Sequence, residues 1–172
     1  WLIPPTQNPP DFNQDGKSDV IFWDTPNPLP TVGNLSKALS GGTWPLRLTV
    51  HLYDKSLGRI SPKPMTRIAI DIPVHWFVDA LNGEPPARSL ALADFNGDGR
   101  TDIGFAIAPN RYALWVTSPT GLQDTPYQVM DLPGPIEDLV LQGDLEQKGR
   151  TTLVLRGKDA FYVLSARHSG QY

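Results

Sequence analysis

One nine-residue pattern is written twice in this chain, and each time an alternating apolar run follows at once. The first copy is Asp11-Phe12-Asn13-Gln14-Asp15-Gly16-Lys17-Ser18-Asp19, leading into Val20-Ile21-Phe22-Trp23. The second is Asp94-Phe95-Asn96-Gly97-Asp98-Gly99-Arg100-Thr101-Asp102, leading into Ile103-Gly104-Phe105-Ala106-Ile107. Oxygen-bearing side chains stand at positions 1, 3, 5 and 9, with glycine at position 6. A hard cation needs six to eight oxygen ligands, so a short loop must curl these side chains inward and add the backbone carbonyl of position 7. Gly16 and Gly99 permit the tight bend that this requires.

The pattern predicts two calcium ions. One is held by Asp11, Asn13, Asp15, Asp19 and the Lys17 carbonyl, the other by Asp94, Asn96, Asp98, Asp102 and the Arg100 carbonyl. A flexible oxygen-rich loop suits calcium better than magnesium, which demands stricter octahedral geometry. The opposing reading is a pair of solvated turns, but three acidic side chains brought together without a cation repel one another. A helical calcium hand would end in glutamate at position 12, where this chain has Phe22 and Phe105. Closure therefore falls to Asp19 and Asp102, and the period-two pattern behind them predicts strands.

A third, decayed copy runs Asp144-Leu145-Glu146-Gln147-Lys148-Gly149-Arg150-Thr151-Thr152, 50 residues after Asp94. It lacks carboxylates at positions 5 and 9. Lys148 either answers Asp144 and Glu146 as a salt bridge in place of an ion or belongs to a plain surface turn. Between the second and third copies the pattern predicts strands at about 102–108, 111–117, 127–132 and 138–143, punctuated by Pro109-Asn110, residues 118–121 and Pro133-Gly134-Pro135. After the third copy, strands are expected near 152–156 and 160–165. A four-stranded antiparallel unit every 50 or so residues is the period of a propeller blade.

The first interval is longer, 83 residues from Asp11 to Asp94. The excess is placed at about 24–45, where Pro26, Pro28, Pro30, Gly33, Gly41, Gly42 and Pro45 oppose regular strand, with a short helix at about 34–40 as an option. Strands are expected to resume over Leu46–Tyr53, Thr66–Ile72 and Arg88–Ala93, while 75–81 reads either as a further strand or as a short helical turn.

These loops, and the small apolar strand Ser89–Ala93 before the second, make the chain resemble the FG-GAP or VCBS repeats of integrin-α-like, calcium-binding β-propellers. The resemblance covers most of 11–165, except roughly 24–45 and 73–86. It implies an all-β fold: a partial β-propeller of about two and a half to three four-stranded antiparallel blades, with calcium loops between strands. The whole chain, 1–172, reads as one propeller segment, with repeats near 11–93, 94–143 and 144–172. Closed propellers have at least four blades, so the remaining blades are expected from a protein partner or from another part of the same precursor. The end at Tyr172, after two strands of a unit, and the start on Trp1 instead of Met read as signs of an excised or processed piece.

Composition limits the functional classes. Eighteen prolines and 15 glycines disfavour long helices. The net charge of -3 is small, six of the 18 acidic residues lie in the two loops, and no basic stripe points to nucleic acid. The absence of cysteine removes disulfides, thiolate metal sites and a cysteine nucleophile. No apolar run has membrane-spanning length, so membrane insertion is not expected. Calcium loops of extracellular modules work at about 0.1–1 mM calcium, which favours an extracellular, cell-surface or periplasmic setting.

His51, His75 and His168 lack zinc-protease spacing and a nucleophile-elbow serine, and Asp79 and Glu84 are too weak a pair to indicate acid/base chemistry. The leading functional expectation is a non-catalytic, calcium-stabilised module that binds a protein partner or a glycan. The alternative is a structural or accessory portion of a larger extracellular enzyme. Among the aromatic residues, Trp23 and Trp115 are expected to pack between sheets. Trp44, bounded by Gly41-Gly42-Thr43 and Pro45, is the candidate exposed recognition residue.

Overall fold

A computed structural model describes residues 10–24, 42–74, 89–145 and 149–165. The expected helix at 34–40, the segment 75–81, most of the proline-rich insertion and residues 146–148 lie outside the described residues. What is described is all-β, built of antiparallel sheets, none of them closed on itself.

The first sheet contains β1 (Val20–Asp24), β2 (Thr43–His51) and β5 (Thr66–Pro73), in the order β1-β2-β5. The second contains β6 (Ala91–Ala93), β7 (Asp102–Ala108), β8 (Arg111–Trp115) and β11 (Gln128–Asp131), in the order β11-β8-β7-β6. The third contains β12 (Ile136–Gly143), β13 (Thr152–Gly157) and β14 (Phe161–Leu164). Two small ribbons complete the set: β3 (Tyr53–Asp54) with β4 (Arg59–Ile60), and β9 (Thr117–Ser118) with β10 (Gly121–Leu122). The ribbons occupy matching places, each following the strand that comes second after a loop. Sequence patterning had not separated them from their neighbours, because two-residue strands are too short to show a period.

Side-chain alternation decides the stacking. Ile21, Leu48, Val50 and Ile68 of the first sheet are buried together with Leu92, Ile103, Phe105, Ala113 and Trp115 of the second. The opposite face of the second sheet, Ala91, Ala106, Tyr112 and Leu114, is buried with Leu153, Leu155 and Ile136 of the third. The middle sheet is therefore covered on both faces, which is why β7 reads as a nearly unbroken apolar run. Gly104 in β7 is required by close packing: a Cβ there would lie 2.8 Å from Leu114 Cδ2. Trp115 stacks on Phe105 at 4.6 Å, and Trp23 from the first sheet meets Phe105 edge-on at 5.2 Å. The two tryptophans expected between sheets are found there.

Trp44 is a correction. It lies within β2, is only 6% exposed and packs with Val74, so it is not an exposed recognition residue. Pro45 was expected to oppose strand, yet β2 runs through it. Among the described residues, the pairing of β2 with β1 runs as far as Arg47 opposite Asp24, and Pro45 stands opposite Asp71 of β5 alone. A proline is tolerated where only one side of the strand is paired.

Candidate metal centre

The two intact loops fold alike, position by position. In the first, Asp11 Oδ2 accepts the Gly16 N–H at 2.9 Å and Asp11 Oδ1 the Asp15 N–H at 3.1 Å. In the second, Asp94 Oδ2 accepts the Gly99 N–H at 2.6 Å, and Asp94 Oδ1 accepts the N–H groups of Gly97 at 2.6 Å and Asp98 at 3.2 Å. Asn13 and Asn96 each accept the N–H two residues on, at 3.2 and 3.0 Å. Asp15 and Asp98 accept those of Lys17 and Arg100, both at 2.8 Å. Each side chain thus winds the backbone by a short local bond, a habit of Asn and Asp in turns. Gly16 and Gly99 take φ values of 76° and 84°, the left-handed conformation for which glycine is suited.

Position 9 has a second duty that the sequence had not revealed. Asp19 Oδ2 accepts the Phe12 N–H and Oδ1 the Tyr53 N–H, both at 2.8 Å. Asp102 Oδ2 accepts the Phe95 N–H at 2.9 Å and Oδ1 the Thr117 N–H at 2.7 Å. Tyr53 and Thr117 open the two small ribbons, so each aspartate ties its loop to the ribbon beyond. Thr117 Oγ1 adds a bond to the Thr101 carbonyl at 2.6 Å.

The phenylalanines at position 2, Phe12 and Phe95, are each 1% exposed and plug the two inter-sheet cores. Full burial of a side chain of this size contributes about 1.5–3 kcal/mol. Loop shape and core packing are therefore coupled through adjacent residues.

Burial first, and like charges second, strain the electrostatics. Burial pushes the Asp102 carboxyl up to about 7, against the lowering effect of its two N–H bonds, and the charges of Asp98 and Asp94 push the same way. Asp19 is raised in the same manner, with Asp11 and Asp15 adding to the effect of burial. Part of the charge is already answered: Arg100 Nη1 lies 3.2 Å from Asp98 Oδ2, and Lys55 Nζ lies 3.7 Å from Asp15 Oδ2.

Among the described residues, no three acidic, histidine or cysteine side chains are gathered as tightly as a coordinated ion would hold them. The donor set nevertheless suits calcium in kind. Each loop supplies three carboxylates, one amide oxygen and one carbonyl, all hard oxygens, and a carboxylate oxygen that accepts a single N–H keeps lone-pair capacity for a cation. A divalent ion would also offset the burial and the like-charge repulsion that together raise Asp19 and Asp102.

The third loop repeats one of these bonds. Gly149 takes φ 71°, and its N–H reaches Asp144 Oδ2 at 2.6 Å. At position 9, Thr152 Oγ1 lies 3.4 Å from Ser165 Oγ. The suggested Lys148 and Glu146 pairing falls outside the described residues.

Successive loops also hold each other. The Thr101 N–H donates to the Asp11 carbonyl at 3.4 Å, and Thr101 Oγ1 accepts the Asp11 N–H at 3.1 Å. One loop further on, the Thr151 N–H donates to the Asp94 carbonyl at 3.1 Å. Position 8 of one loop thus binds position 1 of the loop before. The signal was present in the sequence as Ser18, Thr101 and Thr151, a hydroxyl residue at position 8 in all three copies.

No protein-family model matches this chain, and no curated protein matches it either.

Proposed function

We propose that this chain is a non-catalytic, calcium-stabilised segment of a β-propeller of the FG-GAP/VCBS kind, working outside the cytoplasm and presenting loops to a protein partner or a glycan. Two calcium ions staple the first and second loops, through Asp11, Asn13, Asp15, Asp19 and the Lys17 carbonyl, and through Asp94, Asn96, Asp98, Asp102 and the Arg100 carbonyl. The observation that carries the reading is the coincidence of the two loops. The same four side-chain positions wind the same turn, and the same closing aspartate anchors the phenylalanine and the ribbon. A cation there joins three things at once: the loop, the inter-sheet core behind position 2, and the ribbon beyond. Its role is structural.

The test is thermal unfolding in chelator and in about 1 mM calcium, the range in which extracellular loops fill. With Kd of about 0.1–1 mM, 1 mM calcium stabilises by about 0.4–1.4 kcal/mol per site, so a rise in midpoint is expected, reduced by Asp98→Ala. Identical midpoints in the two conditions would remove the reading. The partner surface is assigned to the insertion. Because β2 starts at Thr43, deletion of 26–41 spares the strand, and it should weaken partner capture without changing calcium binding. Unchanged capture would exclude that surface.

A further inference from the structure

We propose that Asn96 is a site of spontaneous deamidation and isoaspartate formation, held unreactive in the folded second loop by Asp94 and Asp98. The chemistry needs no cation, so the proposal stands apart from the calcium reading.

The reaction is written into the dipeptide Asn96-Gly97. The Gly97 nitrogen attacks Cγ of Asn96, so that an N–Cγ bond forms and the Cγ–Nδ2 bond breaks. The proton that the nitrogen gives up departs with the leaving group as ammonia. One water then opens the succinimide ring at either of its carbonyl carbons, giving aspartate or, where the main chain now runs through Cγ, isoaspartate. Nothing is oxidised or reduced. Glycine in second place makes the attack easy, since a Cβ there would hinder the nitrogen and restrict the backbone angles that ring closure needs. The equivalent asparagine of the first loop, Asn13, is followed by Gln14 and lacks that ease.

In the folded loop both reacting groups are engaged elsewhere. The Gly97 N–H donates to Asp94 Oδ1 at 2.6 Å. The Asn96 carboxamide is held on Asp98, where its Oδ1 accepts the Asp98 N–H at 3.0 Å and its Nδ2 donates to Asp98 Oδ2 at 3.2 Å. On the other side of Asn96, Phe95 is buried and its N–H is fixed by Asp102 Oδ2 at 2.9 Å. Ring closure therefore requires the loop to open, freeing the nitrogen from Asp94 and the carboxamide from Asp98. The rate then follows the population of the open loop.

The product weakens the turn that delayed it. Isoaspartate lengthens the main chain by one methylene between Phe95 and Gly97, which draws the Gly97 N–H away from Asp94. Gly97 also has little room to move, because a Cβ on it would already lie 3.1 Å from the Gly149 carbonyl oxygen. The aspartate product keeps the chain length but sets a further carboxylate between Asp94 and Asp98. Either product leaves the second loop easier to open.

The test follows the 172-residue chain in one buffer, folded and in guanidinium chloride, by peptide mass spectrometry that separates Asn96-Gly97 from the other Asn-Gly pair, Asn82-Gly83. Unfolded, Asn96 should deamidate well ahead of Asn13, and Gly97→Ala in the same denaturant should slow it severalfold. Folded, Asn96 should react at least about tenfold more slowly, the ratio given by an opening free energy of about 1.4 kcal/mol. Asp94→Ala should restore much of the unfolded rate. Asp102→Asn, which loosens the loop but leaves the Asp94 and Asp98 bonds in place, should change the rate less. Slow exchange of the Gly97 amide in the native chain gives a readout that needs no substitution. An Asn96 that stays intact in denaturant would overturn the site. Equal rates in the folded and unfolded chain, a freely exchanging Gly97 amide, or Asp94→Ala and Asp102→Asn variants that react alike would overturn the lock.

Discussion

The Thr151 N–H donates to the Asp94 carbonyl at 3.1 Å, so the third loop, poor in carboxylates, is hung directly on the first residue of the second. The same bond, Thr101 to Asp11, hangs the second loop on the first. Loop winding, inter-sheet packing and inter-loop bonding thus converge on a few backbone atoms. A change at one loop is felt by its neighbour.

Gly97 is where that coupling is tightest. It has φ 82°, and a Cβ would sit 3.1 Å from the Gly149 carbonyl oxygen of the next loop. Gly97→Ala combines a left-handed conformation, costing about 1–2 kcal/mol for an L-residue, with pressure on that oxygen. Chemical denaturation should show a loss of at least about 1 kcal/mol. At the equivalent position of the first loop Gln14 already tolerates φ 58°, and its amide bonds the Asp98 carbonyl at 3.1 Å. Gln14→Gly should therefore change stability little, as relief of strain offsets the lost bond.

Asp102→Asn tests the latch between loop and ribbon. Both carboxylate oxygens accept buried N–H groups, from Phe95 and Thr117. An amide keeps one acceptor and turns an NH₂ towards the other donor, leaving an unsatisfied group that costs about 1–3 kcal/mol. Amide exchange of Thr117 should quicken in Asp102→Asn, and unaltered protection there would count against the latch.

Trp44 distinguishes a core residue from a surface one. Because it is 6% exposed within β2, Trp44→Ala should destabilise by about 3–5 kcal/mol, as truncation of a buried aromatic does. An exposed recognition residue would instead leave the denaturation midpoint nearly unchanged.

Trp115→Ala removes a ring stacked on Phe105 and buried between two sheets. A loss of about 3–5 kcal/mol is expected. Trp23→Ala should cost less, because Trp23 is half-buried and meets Phe105 only edge-on.

Much of this architecture was legible because period-two patterning and glycine or proline punctuation agree locally. Strand β7 falls at Asp102–Ala108 as the alternation behind the second loop implies, and β13 follows the third loop likewise. Sequence reasoning went wrong where tertiary pairing decides. Pro45 looked like a strand breaker, yet pairing with β5 carries β2 back to Thr43. That burial also took Trp44 out of solvent. The roles of Asp19 and Asp102 as latches were hidden for another reason. Their partners Tyr53 and Thr117 lie 34 and 15 residues away, at separations that differ between the two copies. The inter-loop bond was within reach, since a hydroxyl residue at position 8 recurs, but only the folded chain reveals what it meets.

The most direct test of the central claim is calorimetric titration of the chelated protein with calcium, repeated on Asp15→Ala and Asp98→Ala. Two ions per chain are expected for the native sequence, with each variant weakening one site and sparing the other. Absence of binding heat, or a stoichiometry that neither substitution alters, would contradict the assignment of calcium to these loops.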